Sequence, residues 1–415
     1  MHFAVRRCCV PVALMVAIGV AGAFAQSQNQ GKRFQLKQSP KIIHNVPGAA
    51  PPAPGSSSTQ LPVWNYHVVS PRDGNSYTGV IVGSNPQARG SHATTTVAAK
   101  LVPIILQFQS VATAANLTTG IITTAPGHAM SNPTAPDNAC LTGNNNVPLN
   151  LLAHSPIFNS ADFNFGGTDV GTTQYTDAFQ RAEFWTEINR NQYHTLLGPV
   201  QVLPALTVKV PAQYGLSLPA NIFQPDFSMC GPEGIVDINF LDAYVTNQLK
   251  NLSGVNPGTF PMFMIYNTGM SFGDPTNLGN CCAGGYHSIY PGVVANTFQT
   301  YSPFDFDVSG FFVSSANDTA IASHEVAEWT NDPYVINATP PWGNTGQVVG
   351  CQANLEVGDP LTGSEAPRIH MPNGFTYHLQ ELAFYSWFFG GPSLGVNGWY
   401  SNNGTFLTDA GPPCS

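Results

Sequence analysis

The chain has 415 residues, a formal net charge of −9 and only 9% charged residues, against roughly 25% in an ordinary soluble protein. Its 14 Lys and Arg residues form no basic stripe and no polybasic cluster, which argues against nucleic acid and anionic membrane surfaces as partners. With 43% hydrophobic residues alongside 40 Gly and 35 Pro, the composition favours strands and long ordered loops over charged surface helices.

In chain order, residues 1–25 read as a secretory signal peptide. Arg6 and Arg7 precede an apolar run from Val10, and Ala23-Phe24-Ala25 supplies small residues for cleavage after Ala25. The apolar run falls short of the ~20 residues a spanning helix needs, and no later segment is long and apolar enough to span a bilayer. The mature protein is therefore expected to be secreted, periplasmic or extracellular, with no membrane attachment after cleavage. Residues 26–60 carry "PGAAPPAPGSSS" and read as a flexible linker. Residues 61–415 then form a single extracellular α+β domain, with a division into two lobes left open near 215–255.

Strands are expected over 64–69 and 77–83, joined by a turn at Pro71, Asp73 and Gly74, and over 98–108, where Pro103 marks an edge or a bulge. Residues 109–170 read as loop-rich. The periodicity of 172–190 predicts a helix, with Asp177 and Arg181 as a surface ion pair. Residues 200–211 read as a strand, 234–252 as an amphipathic helix, 260–267 as a buried strand, and 297–312 as β-like. Strands and helices mix without regular alternation, which gives a strand-rich α+β class. Removal of Cys8 and Cys9 with the signal leaves six cysteines: Cys140, Cys230, Cys281, Cys282, Cys351 and Cys414. An even number in an exported chain points to disulfides, and spacing does not choose the pairing. Vicinal Cys281 and Cys282 either bond to each other or send bridges in two directions.

The segment "ASHEVAEWTNDP" (322–333) places His324, Glu325, Glu328 and Asp332 in an otherwise apolar helix. Asn317 or Asp318 can cap its start and Pro333 ends it. His324 and Glu328, at i and i+4, lie about 40° apart on one face, with Glu325 on the adjoining face. This is the geometry of the H-E-x-x-H zinc helix with Glu replacing the second His: the i and i+4 side chains bind metal, and the Glu between them is a general base. From residue 251 to 367 there is no Lys or Arg, yet ten acids fall in that span. A buried carboxylate without a partner costs several kcal/mol, so a metal, a distant Arg (Arg181 or Arg190) or protonation must supply the balance. Calcium prefers all-oxygen shells, so His324 tilts the choice to one zinc per chain. "NLEVGDP" (354–360) offers a third ligand; the ranking is Glu356, then Asp332, then Asp359. Tyr286, His287 and His378 are candidate oxyanion or substrate contacts, and His194, His287 and His378 each also read as hydrogen-bonded structural residues.

On "SHEVAEWTNDP" and "LEVGDPLTG" the chain resembles secreted zincin-like proteins with an H-E-x-x-E helix ending in Asp-Pro and a later Glu-x-x-Asp. A similar helix occurs in the phosphate-induced (Exordium-like) proteins. The resemblance covers about residues 320–362 and implies a buried zincin-like metal helix. The expected function is a secreted zinc-dependent hydrolase, a metallopeptidase acting on a peptide or cell-wall substrate, with Glu325 as base. The alternative is a non-catalytic exported or cell-wall-associated binding protein, in which the same residues hold a structural metal or a buried carboxylate network. A third class, a carbohydrate-active enzyme stacking sugars on the aromatics of 375–391 and 397–406, is disfavoured. Carboxylates one helical turn apart lie closer than glycosidase pairs require.

Overall fold

The structure, a computed structural model, describes residues 33–37, 60–88, 94–143, 145–188, 192–291, 297–343, 351–366, 368–409 and 414. The signal peptide, most of the 26–60 stretch and Arg190 lie outside the described residues. Residues 33–37, inside the stretch read as linker, lie against the body: Phe34 stacks on Phe311 and its backbone bridges to Phe312.

The fold is α+β and strand-rich. At its centre runs β1 (Thr94–Asn116), a 23-residue strand. Counted over the described residues, it anchors an 11-stranded mixed sheet. On one side of β1 lie Gly215–Leu218, then β2 (Glu233–Asp237). On the other side lie β3 (Thr259–Tyr266), parallel to β1, and beyond it β5 (Phe298–Phe306), parallel to β3. The short strand β4 (Thr268–Ser271) runs parallel to β2. Every residue of β2, β3 and β5 is buried, as expected for strands covered on both faces. The 215–255 stretch, where two lobes could part, thus contributes two strands to the common sheet.

The two coverings follow from the period-2 alternation of β3. Met262 and Met264 face the layer containing Ile321, Ala322, Val326 and Trp329 of the helix α3 (Ala320–Asn331). Phe263 and Ile265 face Leu241, Val245 and Leu249 of α2 (Ile238–Leu249). Trp329 stacks on Phe260 with ring centroids 3.8 Å apart and donates from Nε1 to Thr300 Oγ1 at 3.0 Å. That contact fixes α3 on the sheet. A further aromatic core gathers Phe179 of α1 (Tyr175–Glu183) with Trp342, Phe384, Trp387 and Phe388.

Several local expectations need correction. The region 109–170 is not loop-rich: it contains the end of β1, the strand Ile121–Ser131, a short helix Pro148–Ala153 and the strand Ala161–Phe165. Pro103 is neither at an edge nor at a bulge. It sits within β1 opposite Met264, where the neighbouring chain on the other side breaks between the strands Gln201–Val202 and Leu206–Val210, so no ladder bond there needs the missing N–H. The expected helix at 234–252 is a strand followed by a helix, divided at Asp237, whose carboxylate caps α2 by accepting from Phe240 N at 2.9 Å. Asp177 and Arg181 are buried, not a surface pair. Asp177 accepts from Thr173 and from His194 Nδ1, while Arg181 donates to Val170 O and Tyr193 O. The aromatics of 375–391 lie in the core: Tyr377, Phe384, Trp387 and Phe388 are fully buried, leaving no sugar platform there.

The six cysteines pair as Cys140–Cys230, Cys281–Cys282 and Cys351–Cys414. A thiol reagent applied in denaturant without reductant to the chain lacking residues 1–25 should therefore find no free thiol. More than one reactive thiol per chain would contradict this pairing. Disulfides suit an oxidising compartment. Among the described residues no helix is long and apolar enough to cross a membrane.

Candidate metal centre

Helix α3 forms because an apolar stripe can bury on β5 while the polar positions share another face. Its start differs from the expected cap. The N-cap is Thr319, with no side-chain cap bond. Asp318 accepts instead from Thr319 N, from His378 N at 2.9 Å and from His378 Nδ1. Its end is as expected: Asp332 stops the helix before Pro333. All twelve residues of α3 are buried, so each polar side chain on it needs a partner inside the protein.

His324 finds its partners in a loop and in a distant segment. Gln380 Nε2 donates to Gly358 O at 2.6 Å, a carbonyl that can only accept. The amide oxygen of Gln380 therefore faces His324, and Nδ1–H of His324 donates to it at 3.0 Å. This fixes the tautomer and leaves Nε2 pointing inward. Nε2 is buried and makes no aligned hydrogen bond. It lies 3.0 Å from Glu328 Oε1 and 3.7 Å from Asp359 Oδ1. The lone pair of a neutral imidazole would meet two carboxylates there, so the site requires a proton or a cation between them. Gly358 is needed for this approach: a Cβ on it would lie 2.5 Å from His324 Nδ1.

His287 approaches the same helix from the sheet edge. Its Nδ1 is 3.6 Å from Glu328 Oε2 and 3.7 Å from Glu325 Oε2, while Nε2 donates to Asp332 O at 3.1 Å and lies 3.8 Å from Glu356 Oε2. Glu328 thus belongs to two groups whose ligand atoms lie within 4.8 Å of one another, His324–Glu328–Asp359 and His287–Glu325–Glu328. Its Oε1 also accepts from Gly358 N and Asp359 N, each at 3.2 Å.

The electrostatics follow from burial and crowding. Burial opposes charge on His324, but Glu328, Glu325 and Asp359 outweigh it and push its pKa up to about 10. Burial likewise opposes charge on His287, yet Glu356, Glu325 and Glu328 hold it well above the usual imidazole range. Burial would raise Glu328, but His324 and His287 pull it down to about 2. Burial, and then Glu328, push Asp359 up to about 7, and burial raises Glu325. Two protonated imidazoles cannot balance Glu325, Glu328, Glu356 and Asp359 when all four are ionised. A divalent cation replacing the His324 proton narrows the gap, and the donor set of one imidazole nitrogen and two carboxylates fits zinc.

Of the expected ligands, His324 and Glu328 come together with Asp359, which ranked third. Glu356 lies beside the far nitrogen of His287 and accepts from Asn354. The Asp332 carboxylate accepts from Ile336 N and Asn337 N, closing the turn after α3. Of the candidate substrate contacts, only His287 reaches the centre. The Tyr286 hydroxyl donates to Asp242 on α2 at 2.9 Å, and His378 is held by Asp318. Arg181 is committed to carbonyls near Val170 and Tyr193. Sequence reasoning missed Gln380 and Gly358, whose roles depend on a fold that brings three separate segments together. No family model, no curated protein and no solved structure matches the chain.

Proposed function

We propose that the chain is a secreted zinc-dependent hydrolase of the peptidase class. His324, Glu328 and Asp359 would hold the ion. The observation that carries this reading is His324 Nε2, buried, with its tautomer set by Gln380 and two carboxylates in front of it. Zinc, when bound, supplies Lewis-acid polarisation of a substrate carbonyl. Glu325, one residue along α3 and beside the ligand Glu328, takes the proton of the attacking water and returns it to the leaving amine. The His287 imidazolium directs Nδ1–H between Glu325 and Glu328 and orients both. Substrate of the peptide or cell-wall class is part of the same proposal.

Burial favours a second reading. His324, Glu325, Glu328 and Asp359 are each no more than 5% exposed, which suits a structural metal in a non-catalytic exported or cell-wall-associated protein. Elemental analysis and a peptide-library digest separate the two. The hydrolase should carry one zinc per chain, and Glu325→Gln should retain the zinc while losing hydrolysis by about 100-fold or more. A zinc-loaded wild type that cleaves nothing would move the assignment to the structural metal. Loss of zinc in Glu325→Gln would overturn the assignment of Glu325 as base.

A further inference from the structure

A second group of acids shares no carboxylate with the first centre. Asp305 is the penultimate residue of β5, Asp307 lies just past its end and Glu233 begins β2; their relative exposures are 0%, 0% and 1%. One carboxylate oxygen from each lies within 4.8 Å of the others. Each acid is anchored through only part of its acceptor capacity. Glu233 Oε1 accepts from Gly269 N at 3.1 Å and Asp305 Oδ1 from Thr268 N at 3.1 Å, while Asp307 accepts from Ser309 Oγ. The remaining oxygens of the first two, Glu233 Oε2 and Asp305 Oδ2, are buried and receive no hydrogen bond. Among the described residues no Lys, Arg or His pairs with any of the three. Burial and mutual repulsion hold Glu233 and Asp305 well above the usual carboxylate range.

We propose that Glu233, Asp305 and Asp307 form a separate binding site for a hard divalent cation, calcium in particular. Two fully buried carboxylate oxygens without donors, in a group of three acids with which no Lys, Arg or His pairs among the described residues, are what an all-oxygen metal shell looks like without its ion. The absence of imidazole and thiolate ligands disfavours zinc. Magnesium demands near-octahedral geometry and keeps its waters, which a site this enclosed does not suit. Calcium accepts irregular, carboxylate-rich shells. Glu233 lines a surface cleft of about 300 Å³ with Tyr266, Asn267 and Asp137, the side from which an ion would enter.

The site has a mechanical link to the helix of the first centre. Asp307 O accepts from Asp318 N at 2.6 Å, and the Asp318 carboxylate holds Thr319 N and His378 at the start of α3. An ion that fixes Asp305 and Asp307 also fixes the entry to α3.

The test uses the purified full-length protein. After dialysis against a calcium chelator, calcium chloride alone is added back. We expect one calcium per chain by atomic emission and a rise in melting midpoint of about 5 °C or more at saturation. Magnesium chloride at the same concentration should give a smaller rise. Glu233→Gln and Asp305→Asn should lose the calcium and the shift, whereas Asp359→Asn should lose zinc and keep both. The wild-type arm needs no variant to fold. Absence of bound calcium and of any shift at millimolar calcium overturns the proposal. So does an Asp305→Asn variant that is more stable than wild type in chelator while wild type ignores calcium, because the three acids would then simply share protons. Calcium binding that survives in Asp305→Asn places the ion elsewhere and also overturns it.

Discussion

Glu328→Ala should strip the proposed zinc and lower stability by about 3–5 kcal/mol, the range for removing one partner of a buried ion pair. Glu328 is the shared member of both metal-capable groups. Truncating it leaves His324 and His287 facing a void where each has a carboxylate oxygen at 3.0 Å and 3.6 Å. The amides of Gly358 and Asp359 lose their acceptor as well. Glu328→Gln separates these effects. Its amide oxygen can still accept from both amides, so its stability loss should be smaller, about 1–2 kcal/mol, while the missing charge should still cost the metal. Denaturant titration gives the stability of each variant, and elemental analysis of the same preparations gives the metal. A Glu328→Ala protein that keeps its zinc, or loses less than about 1 kcal/mol, would remove Glu328 from the centre of the site.

The helix was legible in the sequence because its signals are local. The i,i+4 spacing of His324 and Glu328 sets them on one face, and Pro333 marks the end. The choice of third ligand was not local. Asp359 reaches His324 because Gly358 lets the loop pass against the imidazole, and Gln380 closes the arrangement from more than fifty residues away in sequence. The missed strand Ile121–Ser131 has a single buried residue, Ile122, so it lacks the apolar alternation by which strands are read. The helix expected at 234–252 absorbed β2 because "GIVDINFL" is apolar across the junction. Asp237, an acid at the strand–helix boundary, was the available signal. The Asp177–Arg181 spacing gave the right neighbours in sequence but the wrong environment, since i,i+4 spacing says nothing about which face another element covers. In the second acid group, Asp305 lies in β5 and Asp307 just past its end, with no Lys or Arg for over fifty residues on either side. The two-residue spacing places both on one face and was the available sequence signal for the proposed cation site.

Stability should fall as pH rises from about 5 to 8, and Glu183→Gln should flatten that fall. Glu183 is the last residue of α1 and is 0% exposed. Its Oε2 accepts from Tyr385 N at 3.1 Å, and its Oε1 has no hydrogen-bond partner. Burial dominates and pushes its pKa up to about 8, with Tyr385 N and the Asn331 side chain offsetting only part of that. An acid whose folded pKa is raised is held protonated by the fold. Its contribution is complete below the unfolded value near 4.5 and is lost as pH climbs through about 8. A displacement of that size corresponds to about 4–5 kcal/mol between the two ends of the window. The expected result is a shallower pH–stability curve for Glu183→Gln than for wild type, with the two curves closest near pH 5 and the variant more stable by several kcal/mol at pH 9. The comparison isolates Glu183, because the imidazoles and carboxylates around α3 titrate in both proteins. A variant curve that runs parallel to wild type would mean that Glu183 titrates alike in the folded and unfolded protein, and would overturn this assignment.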